Sequence, residues 1–368
     1  MYSQQELDDA VASGVITAAA AEALRAHVEG QRSMVIADEE QFRLITGFND
    51  IFVSIAAAIL LFAVSWIGQT IGSNLGLVID GDGPSLLAPL AVAATAWGLA
   101  MFFTAKRRMA LPSILLLLAF VIGAFLATAF GLVSAVGQET FDRTPQLGGL
   151  VAAVAGVVGA GAAWLHWRTF RVPITIAAGT AAAAAVVVGL LVAALGERLE
   201  NAHDLILGIT LMLGIGVFLF AMWWDSSDRA RLTRRSDVAF WLHLLAAPMI
   251  IHPVFTLLGL NDGTATIGEG FVVILLYVVI GITALAIDRR ALLVSALAYV
   301  LYALTELFKQ FGAVELNVAL TALVIGSALL MLSAFWHQAR RAVVVRLPEV
   351  LRAKLPMIDR PAPVPQAA

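Results

Sequence analysis

From Asp50 onward the chain is a succession of apolar runs, each about as long as a bilayer is thick. A helix needs about 20 apolar residues to cross a hydrocarbon core about 30 Å thick. Ten runs approach or exceed that length: 50–72, 86–105, 111–136, 148–166, 174–196, 205–224, 238–260, 270–287, 291–309 and 316–337. Charges, Gly, Pro, Asp and Asn collect in the gaps, where turns belong. The predicted fold class is therefore all-α, a polytopic membrane bundle of about ten transmembrane helices. Composition agrees: 60% of residues are hydrophobic and 13% charged, with a mean hydropathy of +0.90. A soluble domain is about 45–50% apolar and about 25% charged, so a water-soluble enzyme is excluded. A net charge of −3 leaves no global basic footprint for nucleic acid. The absence of cysteine removes disulfides, thiol catalysis and thiolate metal sites.

Orientation follows Lys and Arg rather than net charge. Of the 23 basic residues, 20 fall in alternate extramembrane segments and three in the others. A missed or surplus span would scramble this alternation downstream of it. The partition predicts both termini in the cytoplasm.

Residues 1–50 contain no early hydrophobic region of the kind that makes a signal peptide. Residues 1–37 are read as a cytoplasmic helical hairpin. Ser3 to Glu6 has capping-box spacing, Gly14 is a helix stop, and Thr17 caps a second helix with an Ala21, Leu24 and Val28 stripe. Residues 38–337 form the transmembrane bundle. Residues 338–368 form a basic segment, expected over 339–357 to lie along anionic headgroups, and a disordered tail with Pro361, Pro363 and Pro365.

Several stretches carry a family resemblance. They are Asp38-Glu39-Glu40-Gln41-Phe42-Arg43, Thr46 to Phe52, Phe240-Trp241-Leu242-His243-Leu244-Leu245-Ala246-Ala247-Pro248, and Lys309-Gln310-Phe311-Gly312. With the N-terminal hairpin, the chain resembles, over nearly its full length, a group of bacterial multi-pass membrane proteins classed as a domain of unknown function. The resemblance implies a bacterial inner-membrane protein and carries no known reaction, so no site residue transfers from it.

Small residues recur at four-residue spacing in runs three to five: Gly123, Ala127, Gly131 and Ala135; Gly148, Ala152, Gly156 and Ala160; Ala177, Ala181, Ala185, Gly189 and Ala193. Such stripes let helices approach closely where lipid supplies no hydrophobic drive. Gly156, Gly159 and Gly161 lie inside an apolar run with no strand before them, which excludes a dinucleotide loop. No Walker loop, HExxH helix or serine elbow is present, and no cofactor is expected.

Polar groups at membrane depth mark the candidate site. The seventh run holds His243, Pro248, His252 and Pro253. Each proline frees a carbonyl four residues back, Leu244 and Met249 respectively, and is expected to break the helix. The histidines are nine residues apart and fall on roughly opposite faces, so a metal pair is not expected. In the ninth run, Tyr302 and Glu306 follow helical spacing, with Lys309 one turn beyond. At 1.5 Å per residue, His252 and Glu306 sit at matching depth, about 21–23 Å from the cytoplasmic face. The candidate polar site is thus His252, Glu306 and Tyr302, with His243 and Lys309 beside it. The reading is transporter-like for a small solute or ion. The alternative is a structural or regulatory scaffold, and a membrane-embedded enzyme is the remote third. The sequence carries no signal of oligomeric state.

The charge partition has a direct test. Reporter fusions after Arg108, Arg235 and Arg290 are expected to report cytoplasm, and fusions after Asp82 and Gly263 the outer side. A single clean inversion would overturn the ten-span topology.

Overall fold

The computed structural model describes residues 10–24 and 48–358, apart from 197, 199–201, 232, 261–266, 291, 295, 298–299 and 302–316. Two compact units are present, Met1–Phe42 with Met357–Ala368, and Arg43–Pro356. In the first, the chain is helical over 10–12 and 18–24. Gly14, with φ +74°, makes the turn, and the Thr17 hydroxyl accepts the Ala20 N–H at 3.2 Å.

The second unit is a helical membrane bundle. Its helices are α1 (Phe48–Asn74), α2 (Leu87–Phe103), α3 (Ala110–Val136), the short α4 (Gln138–Arg143), α5 (Pro145–Phe170), α6 (Ile174–Leu195), α7 (His203–Ser226), α8 (Arg234–Leu257), α9 (Ile267–Ile287), α10 (Asn317–Ala334), α11 (Trp336–Val345) and α12 (Glu349–Arg352). Among the described residues seven are long and apolar enough to cross a membrane, α1, α3 and α5 to α9, and an eighth if α10 and α11 form one bent span. The second run forms only the 17-residue α2. The tenth ends at Ala334, where the chain bends by 73° into α11. There the apolar sequence gives way to an amphipathic one, with Trp336, Arg340 and Val344 buried on one face. Most of the ninth run lies outside the described residues.

The core is a series of clusters rather than one centre. Ala57, Leu61, Ala96, Ala100 and Leu116 join α1, α2 and α3. Leu117, Val121, Ala163 and Ile174 join α3, α5 and α6. Ala177, Val217, Ala221, Val238, Leu242 and Ala246 join α6, α7 and α8. Ile251, Phe255, Val273 and Ile325 then pack with Ala296 and Val300, so the start of the ninth run neighbours the seventh. Outside these clusters large apolar side chains such as Phe52, Phe62, Leu219, Phe271 and Leu330 stand exposed. In water such a surface would drive aggregation; facing acyl chains it is the expected one. The protein is an integral, multi-pass membrane protein.

Small residues set the helix spacing, with one shift from the sequence pattern. The α5–α6 seam uses Gly149, Ala153 and Gly156 rather than the Gly148 row. A Cβ on Gly189 would come within 2.7 Å of both Gly149 O and Ala153 N, whereas one on Gly148 would meet only Phe141 at 3.9 Å. Gly156 belongs to both rows and faces Ala182 and Val186.

The expected helix break at Pro248 and Pro253 does not occur, and α8 runs through both. Pro253 lacks the N–H that would bond Met249 O. At that point α7 presents Gly214, where a Cβ would fall 2.9 Å from Met249 O. The neighbouring backbone thus lies against the carbonyl that proline releases, and close packing supports the helix across the defect.

Gly214 and Gly216 separate packing from propensity. Gly216 has nothing within 4 Å of an added Cβ. Gly216→Ala is expected to raise the thermal midpoint in detergent, by the roughly 0.5–1 kcal/mol that Ala gains over Gly in a helix. Gly214→Ala is expected to lower it, because forcing the backbones apart costs about 1–3 kcal/mol. Equal shifts in both variants would mean that the α7–α8 approach is not tight.

Candidate functional site: a buried charge cluster

The last turn of α7 ends in Trp223-Trp224-Asp225-Ser226. A carboxylate there faces the negative end of the helix dipole and is unfavourable without a cation. Arg289, just past the end of α9, supplies one: its guanidinium donates to Asp225 Oδ1 at 2.5 Å and to Oδ2 at 3.3 Å. His243 of α8 completes the group, with Nε2 3.0 Å from Asp225 Oδ2. Relative exposure is 0% for Asp225, 0% for His243 and 3% for Arg289.

The register of α8 builds the other side. Ser236, Phe240 and His243 lie three and four residues apart and so share a helix face. The Ser236 carbonyl accepts a further Arg289 hydrogen bond at 3.0 Å, and Phe240 lies under the guanidinium at 6.0 Å. Phe218 of α7 packs edge-on against the His243 ring, with centroids 5.3 Å apart. Asp225 therefore accepts from two different elements at once. With Nε2–H donating to Asp225, His243 Nδ1 is the ring nitrogen left buried and without a hydrogen-bond partner among the described residues.

A second group adjoins the first through the chain itself. Asp288, next to Arg289, has φ +57°. Its carboxylate accepts Arg231 Nη1 and Trp336 Nε1, each at 2.8 Å, and Arg340 Nε stands 3.5 Å away. Arg231 also donates to Ile287 O and Asp288 O, capping the end of α9. Burial pushes the Asp288 carboxyl up, but Arg231 and Arg340 with the Trp336 N–H outweigh it and hold it below the ordinary carboxylate value. The C-terminal segment is tied to the same end of the bundle. Arg340 donates to Pro356 O at 2.8 Å, and Arg229 to Leu355 O at 2.9 Å.

His243 is thus brought into a polar cluster, with partners other than those expected. His252 lies exposed between buried Ile251 and Pro253, on the face opposite His243 as the nine-residue spacing requires. Its carbonyl accepts the Thr256 hydroxyl at 2.9 Å. Pro253 is buried and Pro248 exposed. Tyr302, Glu306 and Lys309 lie outside the described residues. Asp225 and Arg289 escaped the sequence reading because each sits at a run end, where charge is ordinarily solvated. The one available signal was a lone carboxylate in the last turn of an apolar helix. A second buried histidine, His166, was also missed. Its Nδ1 lies 3.3 Å from the Thr175 hydroxyl, among Trp97, Phe120 and Phe170.

Two measurements probe the cluster. Asp225→Asn leaves Arg289 as an uncompensated buried charge and is expected to cost about 3–5 kcal/mol of stability. Replacing both residues by Leu is expected to recover most of that loss. For Asp288 the folded pKa is depressed, so its contribution is complete above the ordinary carboxylate pKa of about 3.9 and is lost as pH falls through the lower folded value. Below about pH 4 the thermal midpoint of the wild type should therefore fall more steeply than that of Asp288→Asn. Parallel acid limbs would show that Asp288 is not held by its arginines.

No family model matches the chain, nor does any curated protein or solved structure. The functional reading therefore rests on the cluster itself.

Proposed function

We propose that the protein is a transporter-like protein of the bacterial inner membrane, with ten spans and both termini cytoplasmic, whose Asp225–His243–Arg289 cluster is a proton-responsive lock at the cytoplasmic end. The observation that carries this is the complete burial of three ionisable side chains from α7, α8 and the turn after α9. Fully buried ionisable groups are costly, and a buried histidine on a membrane span is a usual element of a proton pathway. Asp225 is the shared acceptor. A proton on its carboxylate would weaken its hold on Arg289, and a proton on His243 Nδ1 would add a charge with no acceptor. Either event loosens the tie between α7, α8 and α9. In this reading His252, Tyr302 and Glu306, with Lys309 beside them, are the outer counterpart on spans seven and nine, a pairing that rests on matching sequence depth alone. The family resemblance supports the location and supplies no reaction.

The scaffold reading also has a specific observation in its favour. The close α5–α6 glycine seam and the Arg340–Asp288 tie make parts of the bundle rigid.

Proton flux separates the two. Proteoliposomes loaded with a pH-sensitive dye and given a potassium diffusion potential are expected to acidify faster with the full chain than without it. His243→Gln keeps a donor for Asp225 but has no titratable ring, and it should abolish the difference. His252→Ala and Glu306→Gln should then act non-additively on the same flux. No flux in the wild type above that of empty vesicles would remove the transport reading and leave the scaffold.

A further inference from the structure

Where the tenth run bends, a cleft of about 120 Å³ opens between the start of the ninth run and α10. Leu293, Val294, Leu297, Leu329 and Leu332 line its length, and Arg290, Ser333 and Trp336 lie at its polar end. Sites for drug-sized solutes run to about 300–1,000 Å³, so this one suits a narrow chain rather than a compact solute. It is open-sided: Val294 is 65% exposed, on a surface that faces lipid.

Its polar end has the opposite character. The Arg290 guanidinium sits 4.9 Å from the centroid of the Trp336 ring, which fixes it at the mouth. The neighbouring Arg289 is engaged by Asp225 and Arg340 by Asp288, whereas Arg290 makes no ion pair among the described residues. Arg290 follows the end of α9 and Trp336 follows the 73° bend, so both sit where span gives way to headgroup level. Guanidinium groups recognise phosphate through charge-assisted hydrogen bonds, and indole rings settle at the interface.

We propose that this cleft is a binding site for an anionic diacyl phospholipid of the cytoplasmic leaflet, with one acyl chain along Leu293, Leu297 and Leu329 and the phosphate at Arg290. The site requires only that the protein be embedded with its basic end at the cytoplasm, and is independent of whether it transports. The Arg290–Trp336 stack selects charge, and the leucine floor selects a chain.

Native mass spectrometry of the full chain in detergent, with added dioleoyl phosphatidylglycerol or dioleoyl phosphatidylcholine, tests this. The wild type is expected to retain one phosphatidylglycerol in preference to phosphatidylcholine. Arg290→Gln should lower that retention about tenfold, the factor carried by a charge-assisted contact. Ser333→Trp, at an exposed position on the cleft, should block it and lower retention of both lipids. Leu330→Trp, on the exposed face of α10 away from the cleft, should change nothing. Retention of both lipids alike, unchanged in Arg290→Gln and Ser333→Trp, would mean an unspecific lipid annulus and overturn the proposal. Should Arg290→Gln not fold, the lipid preference and Ser333→Trp decide it alone.

Discussion

Lipid removes the force that assembles a soluble bundle. An apolar side chain gains almost nothing by leaving acyl chains for another helix, so these helices must be joined by close contact and by polar ties. Both devices are present, and they divide the work. Along α5 and α6 the backbones approach until Gly189 faces Gly149 and Ala153. Around α7, α8 and α9 the tie is the Asp225 carboxylate, held by Arg289 and His243. The alanine-rich core clusters follow from the same constraint, since dispersion between helices grows as the backbones draw nearer.

The charge cluster also ties several helix ends together. Asp288 and Arg289 are adjacent in sequence yet reach different partners, Asp288 towards Arg231, Trp336 and Arg340, and Arg289 towards Asp225. One short turn therefore joins α7, α8, α9, α11 and the α7–α8 loop. Removing a partner from such a network leaves a buried charge, whereas removing a matched pair does not.

Much of this was legible in the sequence. Apolar run length and gap chemistry located the long helices, because burial in lipid imposes one length and one secondary structure. The nine-residue separation of His243 and His252 fixed their opposite faces. Three things were not legible, each for a physical reason. Glycine rows one residue apart are equally apolar, so pattern could not choose Gly149 over Gly148. Proline reports a lost hydrogen bond on its own helix, and not the Gly214 that a neighbour brings against it. An arginine at a run end satisfies the positive-inside rule whether or not it is buried, and a carboxylate there is ordinarily solvated, which concealed Arg289 and Asp225.

The turns show how one position meets two demands. Where the backbone enters the left-handed region, glycine is the usual residue because a Cβ costs about 1–2 kcal/mol there. Gly76, Gly81, Gly137, Gly196 and Gly259 serve this role in the loops that are poor in Lys and Arg, beside one aspartate, Asp80. In the basic loops the left-handed residues are Arg108, Arg171, Arg231 and Asp288 instead. Glycine would relieve the strain but carry no charge. Arg231 uses its guanidinium to cap α9 and hold Asp288, and Asp288 anchors Trp336 and Arg340. Arg171 ends α5 in the left-handed conformation while adding to the basic count of its loop. At Arg231 and Asp288 the strain is tolerated because the charged side chain performs a task that glycine cannot.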